Sequence, residues 1–309
     1  MGAVRAFDDE VISDYQRSAA LLLDHAEQAV HLAATGDGKS LLVAGERGVI
    51  HRSTDQGDHW HQVPVPIDVT LTTLTRNPDG DYWAGGHEET LLRSGDEGAA
   101  WTLIRSEYDG PPVLRIRFFD ADTGFAVGGN GMVLRTRDGG ARWERQQIVN
   151  SVMFDPHLFD IARLADGRLL IAAETGNLFR SDDGGETWVE LESPYAGSFF
   201  GLVDLGDRGV VAYGMLSNAY LSQDGGDHWR QLDTGVTDSS FFSGHAAPGG
   251  LVLAGADGAL TFGAWRDGTL HFTASPVESR PAIADLHPLP RGGWLAATDR
   301  GPLIITPQD

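Results

Sequence analysis

A chain of 309 residues with 40 glycines, 14 prolines and no cysteine has no means of forming disulfides, zinc–thiolate sites or a thiol nucleophile. Its formal charge of −21 opposes binding to nucleic-acid phosphates or anionic lipid headgroups. The longest apolar stretch, Ala19 to Ala34, is interrupted by Asp24, His25, Glu27 and His31, so it matches neither a signal-peptide core nor a bilayer span.

From about Val30 onward the chain is periodic, and the period is the main signal. Five times an eight-residue pattern, S/T-x-D-x-G-x-x-W, closes on a tryptophan. Its aspartate and tryptophan are Asp55 and Trp60, Asp96 and Trp101, Asp138 and Trp143, Asp183 and Trp188, and Asp224 and Trp229. The tryptophans stand 41, 42, 45 and 41 residues apart, from positions 60, 101, 143, 188 and 229. Within each unit an apolar run, a turn, a second run ending near glycine and a third run precede the box. In the fourth unit the pattern predicts strands over Phe159–Leu164, Arg168–Ala173 and Leu178–Arg180, and another from Trp188. Four short strands per ~40–45 residues, without helical periodicity, predict a propeller blade.

Two later units keep the rhythm without the box: Phe241 to Pro276, where Gly263, Trp265, Asp267 and Leu270 occupy the box positions, and Ala282 to Pro307. The expectation is an all-β, seven-bladed propeller of four-stranded antiparallel blades, since seven blades of ~41 residues need ~287. The last unit ends before a fourth strand. Residues 1–29 are therefore expected to supply it and close the ring, leaving 30–309 as one propeller domain with no open edge.

Each box position has a structural use. Aspartate and Ser/Thr side chains bind the backbone of their own turn, glycine permits positive φ, and tryptophan offers the largest apolar area. A calcium loop needs more oxygen ligands at alternate positions than the box provides.

The boxes resemble those of the sialidase and BNR-repeat superfamily. The whole chain more closely resembles the photosystem II assembly and stability factors and their non-photosynthetic bacterial relatives. The phrases carrying the likeness run from Leu42 to Ile50, Gly124 to Gly140 and Ser193 to Gly201. The resemblance implies a seven-bladed propeller, no known chemistry and a role in assembling membrane complexes; the bacterial relatives are generally exported, often as companions of RND-type exporters. It also implies a periplasmic or secreted location, with Met1-Gly2 read as a start joined to a sequence whose export signal is gone. The composition itself leaves the cytoplasm open as well. This chain departs from the family in its decayed sixth box, its N-terminus and its acidity, where the photosynthetic members rely on a basic patch.

Catalytic signatures are weak. A sialidase needs an arginine triad, and the family's Arg-Ile-Pro signature has no counterpart before Ser53; Arg115-Ile116-Arg117 lacks the proline. No catalytic, metal or cofactor residue is assigned. His59 and His61 share a strand face without a third ligand, and Gly128–Gly131 joins two strands, so it reads as a hairpin rather than a phosphate loop.

The face opposite the boxes collects the longer loops, and long insertions on one face mark a binding face. Candidates in its turns are Glu46, Arg47, His87, Tyr108, Asn130 and His157, followed by Glu174, Tyr195, Asn218, Asp257 and Arg300; Arg115 and Arg117 complete the candidate partner face. Tyr195 has no counterpart in the other repeats and is the leading contact candidate. Of Phe199 and Phe200, one is expected in the core, matching Phe241 and Phe242. The expected function is a non-catalytic scaffold binding a protein partner, a membrane complex or exporter, with neither nucleic acid nor membrane insertion. The alternative is a sialidase-like or other glycoside hydrolase, or a glycan-binding protein, using the central pocket. Converging carboxylates with raised pKa at the pore would favour that alternative.

Overall fold

The computed structural model describes residues 18–22, 28–148 and 155–306. Seven antiparallel sheets follow one another along the chain, six of four strands and a last one of three. Their inner strands are His31–Gly36, Leu71–Arg76, Val113–Phe118, Leu158–Arg163, Phe199–Asp204, Phe241–Ala247 and Ile283–Pro288. The result is the expected seven-bladed propeller.

Second strands such as Leu41–Gly45, Gly124–Gly128 and Leu169–Ala173 are buried along their whole length. Each blade is sandwiched between two neighbours, so these strands read as unbroken apolar runs rather than alternating ones. The core is correspondingly divided into seven interblade clusters among the described residues. The first blade meets the second through Leu42, Ile50, Leu71 and Tyr82. The seventh meets the first through Ala34, Val43, Leu295 and Ala297.

The decayed sixth box has a local explanation. Leu260–Arg266 and Thr269–Ala274 pair directly through Asp267 and Gly268, both at positive φ, so a two-residue hairpin replaces the box turn. Trp265 still serves its blade interface: Arg208 of blade five lies 5.1 Å from its ring centre.

The last blade, ending at Gly301–Ile305, has three strands among the described residues. The expected closing strand falls largely on residues 1–17, outside the described residues. Residues 18–22 lie against blade one: the Ala20 amide donates to the Val65 carbonyl at 3.0 Å and Gln62 donates to the Leu21 carbonyl at 2.8 Å. Among the described residues, blades seven and one meet through a shared apolar cluster and through an Asp285 carboxylate that accepts the Ala34 amide at 3.1 Å.

Candidate functional site

The box face is chemically self-contained. In every box the Ser/Thr hydroxyl donates to the aspartate and accepts the amide of the glycine, as at Ser181, Asp183 and Gly185 (2.8 and 2.7 Å). The same aspartate oxygen accepts the amide four residues on, 2.9 Å at Thr187. The His59 amide and ring hold the Asp55 carboxyl down to about 2. At Asp224 the amide and ring of His228 outweigh desolvation and hold it to about 2 as well. His59 and His228 are thus partners of their own box aspartates, each at 2.7 Å, and no cluster suited to a metal ion occurs among the described residues.

The tryptophans join blades. Trp60, Trp101, Trp143, Trp188 and Trp229 each pack on the blade before their own, Trp101 buried and the rest partly so. The box glycine makes the same approach possible. At Gly185, φ is +92° and an added Cβ would stand 2.7 Å from Phe125 of blade three. The box is an interblade clamp, a role invisible within a single repeat.

The central channel is occupied by charge. Arg115 and Arg117 do not lie on the loop face, where the sequence pattern groups them. Both sit on the blade-three inner strand, directed toward neighbouring inner strands because alternate residues there meet the next blade. Arg115 is 3.5 Å from Asp160 and 3.9 Å from Asp285; Arg117 is 3.2 Å from Asp160. Asp160 accepts the Leu202 amide at 3.1 Å, and Asp285 accepts the Ser243 hydroxyl at 2.9 Å. The Tyr213 hydroxyl enters past Gly201, where a Cβ would stand 2.1 Å from it. Burial pushes Asp160 up, but Arg117 and Arg115 outweigh it and hold the carboxyl below the ordinary range. Burial pushes the Tyr213 hydroxyl up, as does Asp160.

Above this cluster every inner strand carries a bulge. Register slips between its first and third residues in all seven blades. A bulge leaves one residue unpaired and re-aims its side chain. In blades four to six those residues are Phe159, Phe200 and Phe242, all half-buried. Phe159 meets Phe200 at 5.1 Å and Phe200 meets Phe242 at 5.7 Å, edge-on and tilted respectively. Phe199 and Phe241 are fully buried, so the expectation of one core phenylalanine per pair holds. The second of each pair forms an aromatic arc at the channel mouth. Sequence reasoning missed Phe159 and Phe242; the usable signal was the residue directly after the first apolar residue of each inner strand.

The remaining candidates lie in loop-face turns, distributed one or two per blade. Arg47, Asn130 and Asp257 occupy equivalent positive-φ positions, with Glu46 and Arg300 also exposed. Asn130, His157 and Glu174 are brought together: the Asn130 amide donates to the His157 ring at 3.3 Å, and the His157 amide to Glu174 at 3.3 Å. His87 and Tyr108 are exposed on blade two. Beside them Glu89, fully buried at positive φ, receives Arg105 from its own blade and Arg145 from blade three. Tyr195 is not a projecting contact. It is half-buried, stacked 6.1 Å from Tyr220 and edge-on to Phe199 at 5.9 Å, because Gly197 lets the loop fold over its ring. Asn218 accepts from Tyr220 and Gln231. Residues 175–177 and 190–196 line an open groove of about 490 Å³ beside this loop.

A family described as "Photosynthesis system II assembly factor YCF48" matches residues 66–135 and 104–301, most of the chain. The chain belongs to this family. It is 27% identical over 137 residues to the photosystem II assembly lipoprotein Ycf48 of Synechococcus sp. (strain CC9902), covering 43% of this chain and 38% of that protein. It is 31% identical over 80 residues to the uncharacterized protein YkuO of Bacillus subtilis (strain 168), covering 25% and 27%. It thus matches less than half the length of either relative. A solved structure described as YCF48 bound to D1 peptide superposes with a TM-score of 0.72 at 15% identity, covering 97% of both chains. That likeness extends the family's fold across the described propeller.

Proposed function

We propose that this propeller is a non-catalytic scaffold that holds a protein partner on its loop face while a membrane complex of the cell envelope is assembled. The asymmetry between the two faces carries the reading. On the box face the repeat carboxylates are engaged by their own turns. On the loop face half-exposed aromatics and exposed apolar turns remain, as at protein interfaces. Kinship adds support, since a YCF48 structure holds a D1 peptide and the Synechococcus relative is described as a lipoprotein, which fits a periplasmic or exported location. The channel chemistry does not favour the hydrolase alternative: a general acid needs a raised carboxyl pKa, and Asp160 is displaced downward.

Photo-crosslinking in the native cell tests the reading. A benzophenone amino acid placed at Asp257 or Asn130 should capture a membrane-complex subunit, and one at Asp182 on the box face should not. Capture from Asp182 alone, or turnover of a glycan by the purified protein, would overturn it.

A further inference from the structure

Resting on the scaffold reading, we propose that the partner is held at the channel mouth of blades four to six, and that the held element is a short peptide segment with bulky apolar anchors flanked by lysine or arginine.

The arc of Phe159, Phe200 and Phe242 provides the apolar floor. Three adjacent blades each contribute one ring through the same bulge, and none of the three is fully buried. The second component is the turn Met215–Ser217. In the equivalent turns of blades one to four and six the residue at φ near +54° is Arg47, Glu88, Asn130, Thr175 or Asp257, polar as an exposed turn tip should be. Here it is Leu216, at φ +53° and 64% exposed, next to Met215 at 37%. A branched apolar residue in the left-handed region gains nothing for the fold: it carries backbone strain and leaves its side chain in water. The turn is pinned to the loops that lead into the arc. The Met215 amide donates to the Ser198 carbonyl at 3.1 Å, and the Leu216 amide to the Ser240 hydroxyl at 3.2 Å. Ser198 and Ser240 immediately precede the inner strands that carry Phe200 and Phe242, so the turn bearing Leu216 is anchored at the start of two of the three strands that form the arc.

Charge identifies what flanks the anchors. The turns around the patch carry Glu174, Glu192, Asp238 and Asp257, with Arg280 as the one arginine or lysine among their described residues. Beneath the arc Arg115 is already paired with Asp160 and Asp285, so it offers no free cation for an acidic ligand. The mouth is apolar at its centre and anionic at its rim, the complement of a segment with apolar anchors and basic flanks. A few buried apolar anchors would supply most of the affinity, and the acidic rim would raise the on-rate and make it salt-dependent.

A random 12-residue peptide library displayed on phage, selected against the full chain, tests this and requires no identified partner. Enriched sequences should combine two or more Leu, Ile, Met or Phe residues with net positive charge. Their affinity should fall at least tenfold for Leu216→Asp and for Phe200→Ser with Phe242→Ser, and weaken as salt rises. Leu216 lies on an exposed turn, so Leu216→Asp keeps the test valid even if the phenylalanine variant is poorly folded; unchanged circular dichroism and thermal melts identify the variants that count. Peptides that bind Leu216→Asp as tightly as the parent, or that are acidic, overturn the inference while leaving a binding scaffold in place. A concentration-dependent dimer abolished by Leu216→Asp in sedimentation velocity would assign the patch to a second copy and also overturn it. Failure to select any peptide overturns the inference, while crosslinking at Asp257 still tests the scaffold reading separately.

Discussion

Arg115, on the inner strand of blade three, reaches to 3.9 Å from Asp285 on that of blade seven, joining two blades that share no sheet. The same guanidinium lies 3.5 Å from Asp160 of blade four. A buried arginine therefore ties three inner strands across the channel, and each carboxylate also holds a neighbouring blade's amide: Asp160 that of Leu202, Asp285 that of Ala34.

Removing one member should cost more than any surface ion pair. Asp285→Ala strands the Ala34 amide, the Ser243 hydroxyl and part of the Arg115 charge. We expect a loss of about 3–5 kcal/mol, the usual range when a buried pair is broken from one side. Urea denaturation measures it, and a loss below about 1 kcal/mol would show that the channel cluster does not help hold the ring.

The two glycines of box four separate backbone strain from interblade packing. Gly184 has φ +72° with nothing within 4 Å of a Cβ, whereas Gly185 has φ +92° with Phe125 at 2.7 Å. Gly184→Ala should cost about 1 kcal/mol from the left-handed conformation alone. Gly185→Ala adds overpacking of about 1–3 kcal/mol. Equal midpoints for the two variants in a denaturant titration would contradict the clamp.

Asp183 accepts the amides of Glu186 and Thr187, and Trp188 packs partly buried on blade three. Asp183→Ala should cost about 1–3 kcal/mol through unpaired turn groups. Trp188→Ala should cost about 2–3 kcal/mol, less than a fully buried aromatic. Partner capture should survive both wherever the fold persists, and selective loss of capture at unchanged stability would make the box functional.

Buried histidine should make the fold acid-sensitive. His31 is fully buried, its Nε2 2.9 Å from His51 Nδ1, and burial followed by the His51 charge lowers its pKa from 6.5 to about 3. Below pH 6.5 the unfolded chain gains a proton that the folded chain refuses. Stability is therefore constant above that pH and falls as pH drops toward 3, by about 1.4 kcal/mol per pH unit for this one group. Melting temperature against pH should show the decline, and His31→Gln should flatten it. An equal slope in the variant would assign the acid sensitivity to other groups.

The sequence by itself determined the number of blades, the place of five boxes, the two degenerate repeats and that one of Phe199 and Phe200 lies in the core. These follow from patterns within one ~40-residue unit, where strand alternation, turn chemistry and spacing act locally. The tertiary structure alone decided which side chains meet at the axis. Arg115, Asp160 and Asp285 come from the third, fourth and seventh repeats, and nothing near each in sequence marks the others. It also turned Tyr195 inward, since the room for its ring comes from Gly197 and Tyr220 together. The arc of Phe159, Phe200 and Phe242 depended on it most: a bulge shifts one residue out of alternation, and only ring closure places three such residues side by side.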